Sequence, residues 1–119
     1  MTTAKSLTAD VLAAFVGGQF KTKSFRDSTR RGEISQIVVD GRIVRVHLLW
    51  SAIRHGSTWY KDSVSEQTFD LRKCRYRKDV GTDAGVLRID CPYSQTTMTF
   101  YPKGHKKNIG LGDIKALPL

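Results

Sequence analysis

The sequence predicts a mainly β chain: a small antiparallel meander of about six or seven strands, rolled into a barrel-like sheet, with one N-terminal α-helix packed on it. Three observations lead there. The only helical period lies in residues 6–16; from Gly18 onward apolar residues recur every second position between turn-forming clusters. The 119 residues suffice for one domain and one core. No βαβ alternation and no phosphate-cradling glycine motif occurs, since neither Gly17-Gly18 nor Gly110-Leu111-Gly112 has the required flanks.

In residues 6–16, Leu7, Val11 and Phe15 recur at helical spacing beside Leu12 and Val16. Ser6 or Thr8 can cap this helix, Asp10 suits its first turn, and Gly17-Gly18 ends it. The strands of the meander are expected within 19–101. The first, 19–25, shows a phase break around Phe20, and Asp27 to Gly32 reads as a turn. The next two strands, 34–39 and 42–50, flank Asp40-Gly41, which favours a two-residue type I′ turn. That turn pairs Val39 with Arg42 and Ile37 with Val44. It makes one face apolar, ending on Trp50 as a core residue, and puts Ile34 on the mixed face with His47.

Residues 51–57 read as a loop, 58–61 as a short strand and 62–66 as a loop. Residues 67–78 read as one long strand with a β-bulge near Arg72, because Phe69 and Leu71 are out of phase with Cys74 and Tyr76. A four-residue loop from Val80 to Gly85 then brings Tyr76 opposite Ile89 and Cys74 opposite Cys91. An intracellular, reducing setting makes these two buried thiols. After a turn at 92–94, strand 95–101 points Met98 and Phe100 inward and Thr97, Thr99 and Tyr101 outward. Residues 102–119 form a tail with Ile109, Leu111, Ile114 and Leu117 as docking residues.

No apolar run approaches the ~18 residues of a membrane span. The apolar stretch Leu7–Val16 holds Asp10, which does not suit a secretory signal. His47, His55 and His105 are scattered and no CxxC occurs, so no metal or other cofactor is expected. Nucleophile-elbow, zincin and P-loop motifs are absent, and the carboxylates show no pairing, so the expectation is a non-catalytic binding protein.

Charge is the better lead. With 20 Lys+Arg against 11 Asp+Glu, the formal net charge is +9. Residues 1–20 are neutral and residues 61–90 are nearly balanced; the excess falls in residues 21–60 and in the tail. Such an excess suits phosphate neutralisation and counterion release, which points to nucleic acid or another polyanion. The candidate contacts are Lys21, Lys23, Arg26, Arg30, Arg31, Arg45, Arg75, Arg77, Lys106 and Lys107, with Trp59 and Tyr101 as stacking partners. A protein–protein interaction module, such as a small inhibitor or accessory subunit, is the second expectation. A carrier of an apolar ligand inside a barrel is the third.

Overall fold

The computed structural model describes residues 2–3, 9–24, 29–78, 85–92 and 95–115. In chain order its elements are β1 (Thr2–Thr3), α1 (Ala9–Ala13), β2 (Gln19–Ser24), β3 (Arg30–Asp40), β4 (Ile43–His55) and β5 (Thr58–Asp62). They continue with β6 (Glu66–Asp70), β7 (Arg75–Lys78), β8 (Leu87–Cys91), β9 (Thr96–Tyr101) and β10 (Ile114–Lys115). The strands form one sheet in the order β1-β7-β8-β9-β2-β3-β4-β5-β10, with β6 also paired to β4. The chain is thus mainly β with one short helix. The sheet is not closed into a barrel: β7 pairs with β1 and β8, and β6 with β4. The meander is also interrupted, because β9 returns to the open edge of β2 and so places the last long strand beside the first.

The β3–β4 hairpin forms with a different turn. Its register pairs Asp40 with Ile43 and Val39 with Val44, so Gly41-Arg42 is the loop rather than Asp40-Gly41. Gly41 has φ 60° and Arg42 does not share the positive φ, the pattern of a type II′ turn with glycine first. A shift of two residues preserves the face of every side chain, which is why Val44 and Val46 are still fully buried. Two register breaks, between Glu33 and Ile34 and between Ile34 and Gln36, do change faces. They turn Ile34 inward to 1 % exposure and take Trp50 off the core side, while Leu49 stays outward at 68 % exposure. Trp50, expected in the core, is only half-buried.

β4 runs on to His55, where the sequence reading places a loop; the tight turn is Gly56-Ser57, with Gly56 at φ 63°. The long strand expected at 67–78 breaks at the residues anticipated for a bulge. The break is a 3-10 turn, Leu71–Lys73, capped by the Asp70 carboxylate on the Arg72 amide. A full turn redirects the chain, so β6 stays on β4 while β7 joins β8.

The core lies between the β3–β4–β6 and β2–β9–β8 parts of the sheet, under the helix. Phe100, fully buried, is ringed by Phe20, Phe15 and Phe69 at centroid distances of 4.8, 5.5 and 6.3 Å. From the helical segment, Leu12 and Phe15 are buried. The expected capping residues Ser6 and Thr8, the Asp27–Ser28 part of the first turn, the loop residues 80–84, and Tyr93, Ser94 and Leu117 lie outside the described residues.

Gly17 and Gly18 do more than end the helix. Gly17 takes φ 88° and donates its amide to the Ile34 carbonyl, and Ile34 donates back to Gly18. A Cβ on Gly18 would stand 2.0 Å from the Tyr101 carbonyl oxygen. Gly18→Ala must therefore displace backbone, and a loss of about 3 kcal/mol in urea unfolding is expected.

Cys74 and Cys91 are neighbours, as the register argument requires, but they are bonded as a disulfide and not held as two thiols. The 3-10 turn delivers Cys74 to the end of β7 with a Cα–Cα distance of 4.4 Å to Cys91, within reach of a bridge. Strand alternation reports which residues face each other, not whether their sulfurs are joined. Thiol titration of the unfolded, unreduced chain should find no free thiol, and reduction should release two. With a sequence separation of 17, the bridge is expected to contribute about 3 kcal/mol.

Candidate nucleic-acid interface

The pairing registers align one cross-strand row. Arg77 stands opposite Arg88, Arg88 opposite Thr99 and Thr99 opposite Lys21. Lys21 stands opposite Arg31, Arg31 opposite Ala52 and Ala52 opposite Lys61. At roughly 4.8 Å per strand the row is about 29 Å long. Two residues along, Arg75, Asp90, Thr97 and Lys23 form a parallel row. Arg54, two residues beyond Ala52, adds a further cation on β4. The acidic residues on these and the adjoining row are Asp90 and Glu33.

Lys21 registers this clustering. Partial burial, then the charges of Arg31, Arg54, Arg88 and Lys23, hold its pKa below the ordinary lysine value. The sign is that of a cation in a positive field: the folded protein gives up this proton at a lower pH than a solvated lysine does. The positive charge of Lys21 is therefore lost at a lower pH than that of a solvated lysine, and an anion placed beside it should raise its pKa again. A carbon-detected NMR titration of the Lys21 side chain checks both directions; a pKa at the ordinary value without ligand would contradict the cluster.

Arg31 joins the two basic stretches of the sequence. It is 6 % exposed. Its Nη1 donates to Gln19 Oε1 at 3.1 Å and to the Lys107 carbonyl at 2.7 Å. Its guanidinium lies 4.8 Å from the Tyr101 ring centroid and 5.8 Å from that of Trp59. Burial is the main cause of its lowered pKa, though a guanidinium stays charged at working pH. Gln19 also holds the tail, donating from Nε2 to the Ile109 carbonyl and accepting the Ile109 amide at 3.0 Å. Residues 105–109 are thereby anchored over the Gln19–Tyr101 end of the face, with exposed Lys106 and Lys107 at its rim.

These contacts change several expected roles. Tyr101 is 3 % exposed, with Arg31 and the His105 ring against it, so it braces the tail and is not open to a base. Thr99, also expected outward, is likewise buried. Trp59 is half-buried and approached by Arg31 and by Arg54 at 5.7 Å. Arg31 itself is structural rather than a surface contact. Arg30 is held by Asp62 at 3.1 Å, and Arg45 lies toward the far end of the hairpin, 3.8 Å from Glu66. Neither belongs to the clustered face. Arg26 lies outside the described residues.

Lys21, Lys23 and Arg75 are brought together, with Arg77 aligned by backbone register. Sequence reasoning missed Arg54, Arg88 and Lys61. Arg54 was hidden because 51–57 reads as a loop, although Gly56-Ser57 is itself a hairpin signal. Arg88 joins Lys21 only through the long-range β9–β2 pairing.

Among the described residues, the pocket beside Phe20, Leu48 and Ser51 amounts to about 10 Å³, room for one water rather than for an apolar ligand. Among the described residues no group of His, Cys, Asp and Glu could hold a metal, and no helix is long and apolar enough to cross a membrane. No family model, curated protein or solved structure matches the chain.

Proposed function

We propose that this protein is a non-catalytic binder of nucleic acid or a related polyanion, and that it engages the phosphates with the face carrying Lys21, Lys23, Arg54, Arg88 and Lys61. One observation supports this reading above the others. Lys21, Lys23, Arg88 and Lys61 lie in adjoining aligned rows with Arg54 beside them, whereas Arg30, Arg42 and Arg45 lie elsewhere, beside Asp62, Asp70 and Glu66. Charges spread only for solubility would not need to align in adjoining rows across several strands. The tail extends the rim through Lys106 and Lys107. Successive same-face residues on a strand stand about 7 Å apart, which suits a phosphate backbone.

The test is binding to single- and double-stranded RNA and DNA across a salt series. Neutralising about four phosphates on a single strand gives a slope near −3 in log K against log salt. Binding without salt dependence, or none, removes the proposal. The intracellular setting was inferred with reduced thiols; the Cys74–Cys91 bond is the form that oxidising compartments sustain. Trapping thiols by alkylation in intact cells decides between the two settings.

A further inference from the structure

Lys61 ends the basic row and also lines an open groove of about 420 Å³, together with Leu49, Trp50, Leu111, Ile114 and Lys115. The groove exists because β4 changes partners there, from β6 at residues 43–47 to β5 at residues 51–55. The register break at that crossing takes Trp50 off the core side of β4, while Leu49 stays outward in alternation with Arg45 and His47. Leu111 approaches from the 3-10 turn before β10, and the two leucines are 68 % and 66 % exposed. Asp62, the acid of the groove, is engaged by Arg30 at 3.1 Å. Lys61 and Lys115 have no carboxylate partner among the described residues.

We propose that this groove receives one unstacked base of a single-stranded nucleic acid whose phosphates follow the basic row. This rests on the polyanion reading and narrows it to single strands. The occupant must combine an apolar, stackable body with adjacent negative charge, because Trp50 and the leucines are flanked by Lys61 and Lys115. A nucleotide of a single strand has both; a duplex keeps its bases stacked inside. Two aromatics on the same face, Tyr101 and Trp59, already face arginines, whereas the Trp50 ring lines open space beside the basic row.

The experiment compares three fluorescein-labelled probes of equal length by anisotropy on the full chain: a uridine-rich single strand, an abasic backbone and a duplex. The single strand should bind about tenfold tighter than the abasic backbone and quench tryptophan fluorescence. Trp50→Leu and Leu49→Ser should each remove that difference while leaving abasic binding unchanged. The unchanged abasic affinity also shows that the variants fold, and Leu49 is too exposed for its loss to unfold the chain. Equal affinity for the single strand and the abasic backbone overturns the base subsite but leaves the polyanion face standing. Tighter duplex binding does the same. Binding to none of the three overturns both. Displacement of the strand from Trp50 by an acidic, leucine-rich peptide that binds more tightly reassigns the groove to a protein partner.

Discussion

Replacing Lys21 and Lys23 together by glutamate is expected to weaken single-stranded nucleic-acid binding by about 100-fold at moderate salt and to flatten the salt slope by about 1.4. The two residues lie on β2 in the two aligned rows, with β3 and β9 on either side. Reversal there removes two phosphate contacts and places negative charge among Arg31, Arg54 and Arg88. The informative control carries the same change in net charge. Arg42→Glu with Arg45→Glu alters the hairpin end, where both arginines are exposed and ion-paired to Asp70 and Glu66. The Arg45–Glu66 pair is exposed and contributes little, whereas Asp70 beside Arg42 is largely buried, so the folded fraction of this variant is read by circular dichroism before its affinity is compared. It should bind within about threefold of the natural protein if the local face governs binding rather than total charge. Equal losses in the two variants would show that only net charge matters. Fluorescence anisotropy over a salt series separates the outcomes.

Phe100→Ala is expected to cost about 4 kcal/mol and to lower the melting temperature by about 15 °C, as read by circular dichroism and urea unfolding. Phe100 sits where the helical segment, β2, β6 and β9 meet, and its ring is in contact range of three other phenylalanine rings. Its removal leaves a cavity that no single neighbour can fill, because Phe15 and Phe20 are fixed by their own elements. A loss of that size is a large share of the roughly 5–15 kcal/mol that holds a domain of this length folded. Phe100→Leu keeps most of the volume and should cost less than half as much. The variants should lose stability without an equal loss of binding at low temperature, since Phe100 faces away from Lys21 and Thr99. A change in affinity larger than the change in folded fraction would place the core in the binding mechanism.

Much of this architecture was legible in the sequence because it depends on local period. Leu87, Ile89 and Cys91 alternate with polar residues and are all buried. Met98 and Phe100 point inward as alternation requires. The hairpin survived an error in its turn because a shift of two residues leaves every face in place. Single inserted residues are less forgiving: the breaks around Ile34 reversed its predicted side and took Trp50 off the core face, and no local signal marks them. The turn at Leu71–Lys73 was visible as a lost phase, but phase alone does not distinguish a bulge from a corner.

The basic face shows the same division. Composition and chain position located the positive excess in the early strands and in the tail, and no more, because a one-dimensional pattern carries no information about which distant strands pair. The β9–β2 pairing decided that Lys21 and Arg88 share a face, and the Arg31 hydrogen bond to Lys107 decided that the tail joins it. Burial decided that Arg31 and Tyr101 brace this surface instead of offering it to a ligand. The pairing of Cys74 with Cys91 was legible in the strand register, whereas their bond was not, because proximity permits a disulfide and the redox setting decides whether it forms. Hydrophobic alternation acts between neighbours in the chain, and it specified the strands. Charge clustering acts through space, and only the assembled sheet gathered it into one surface.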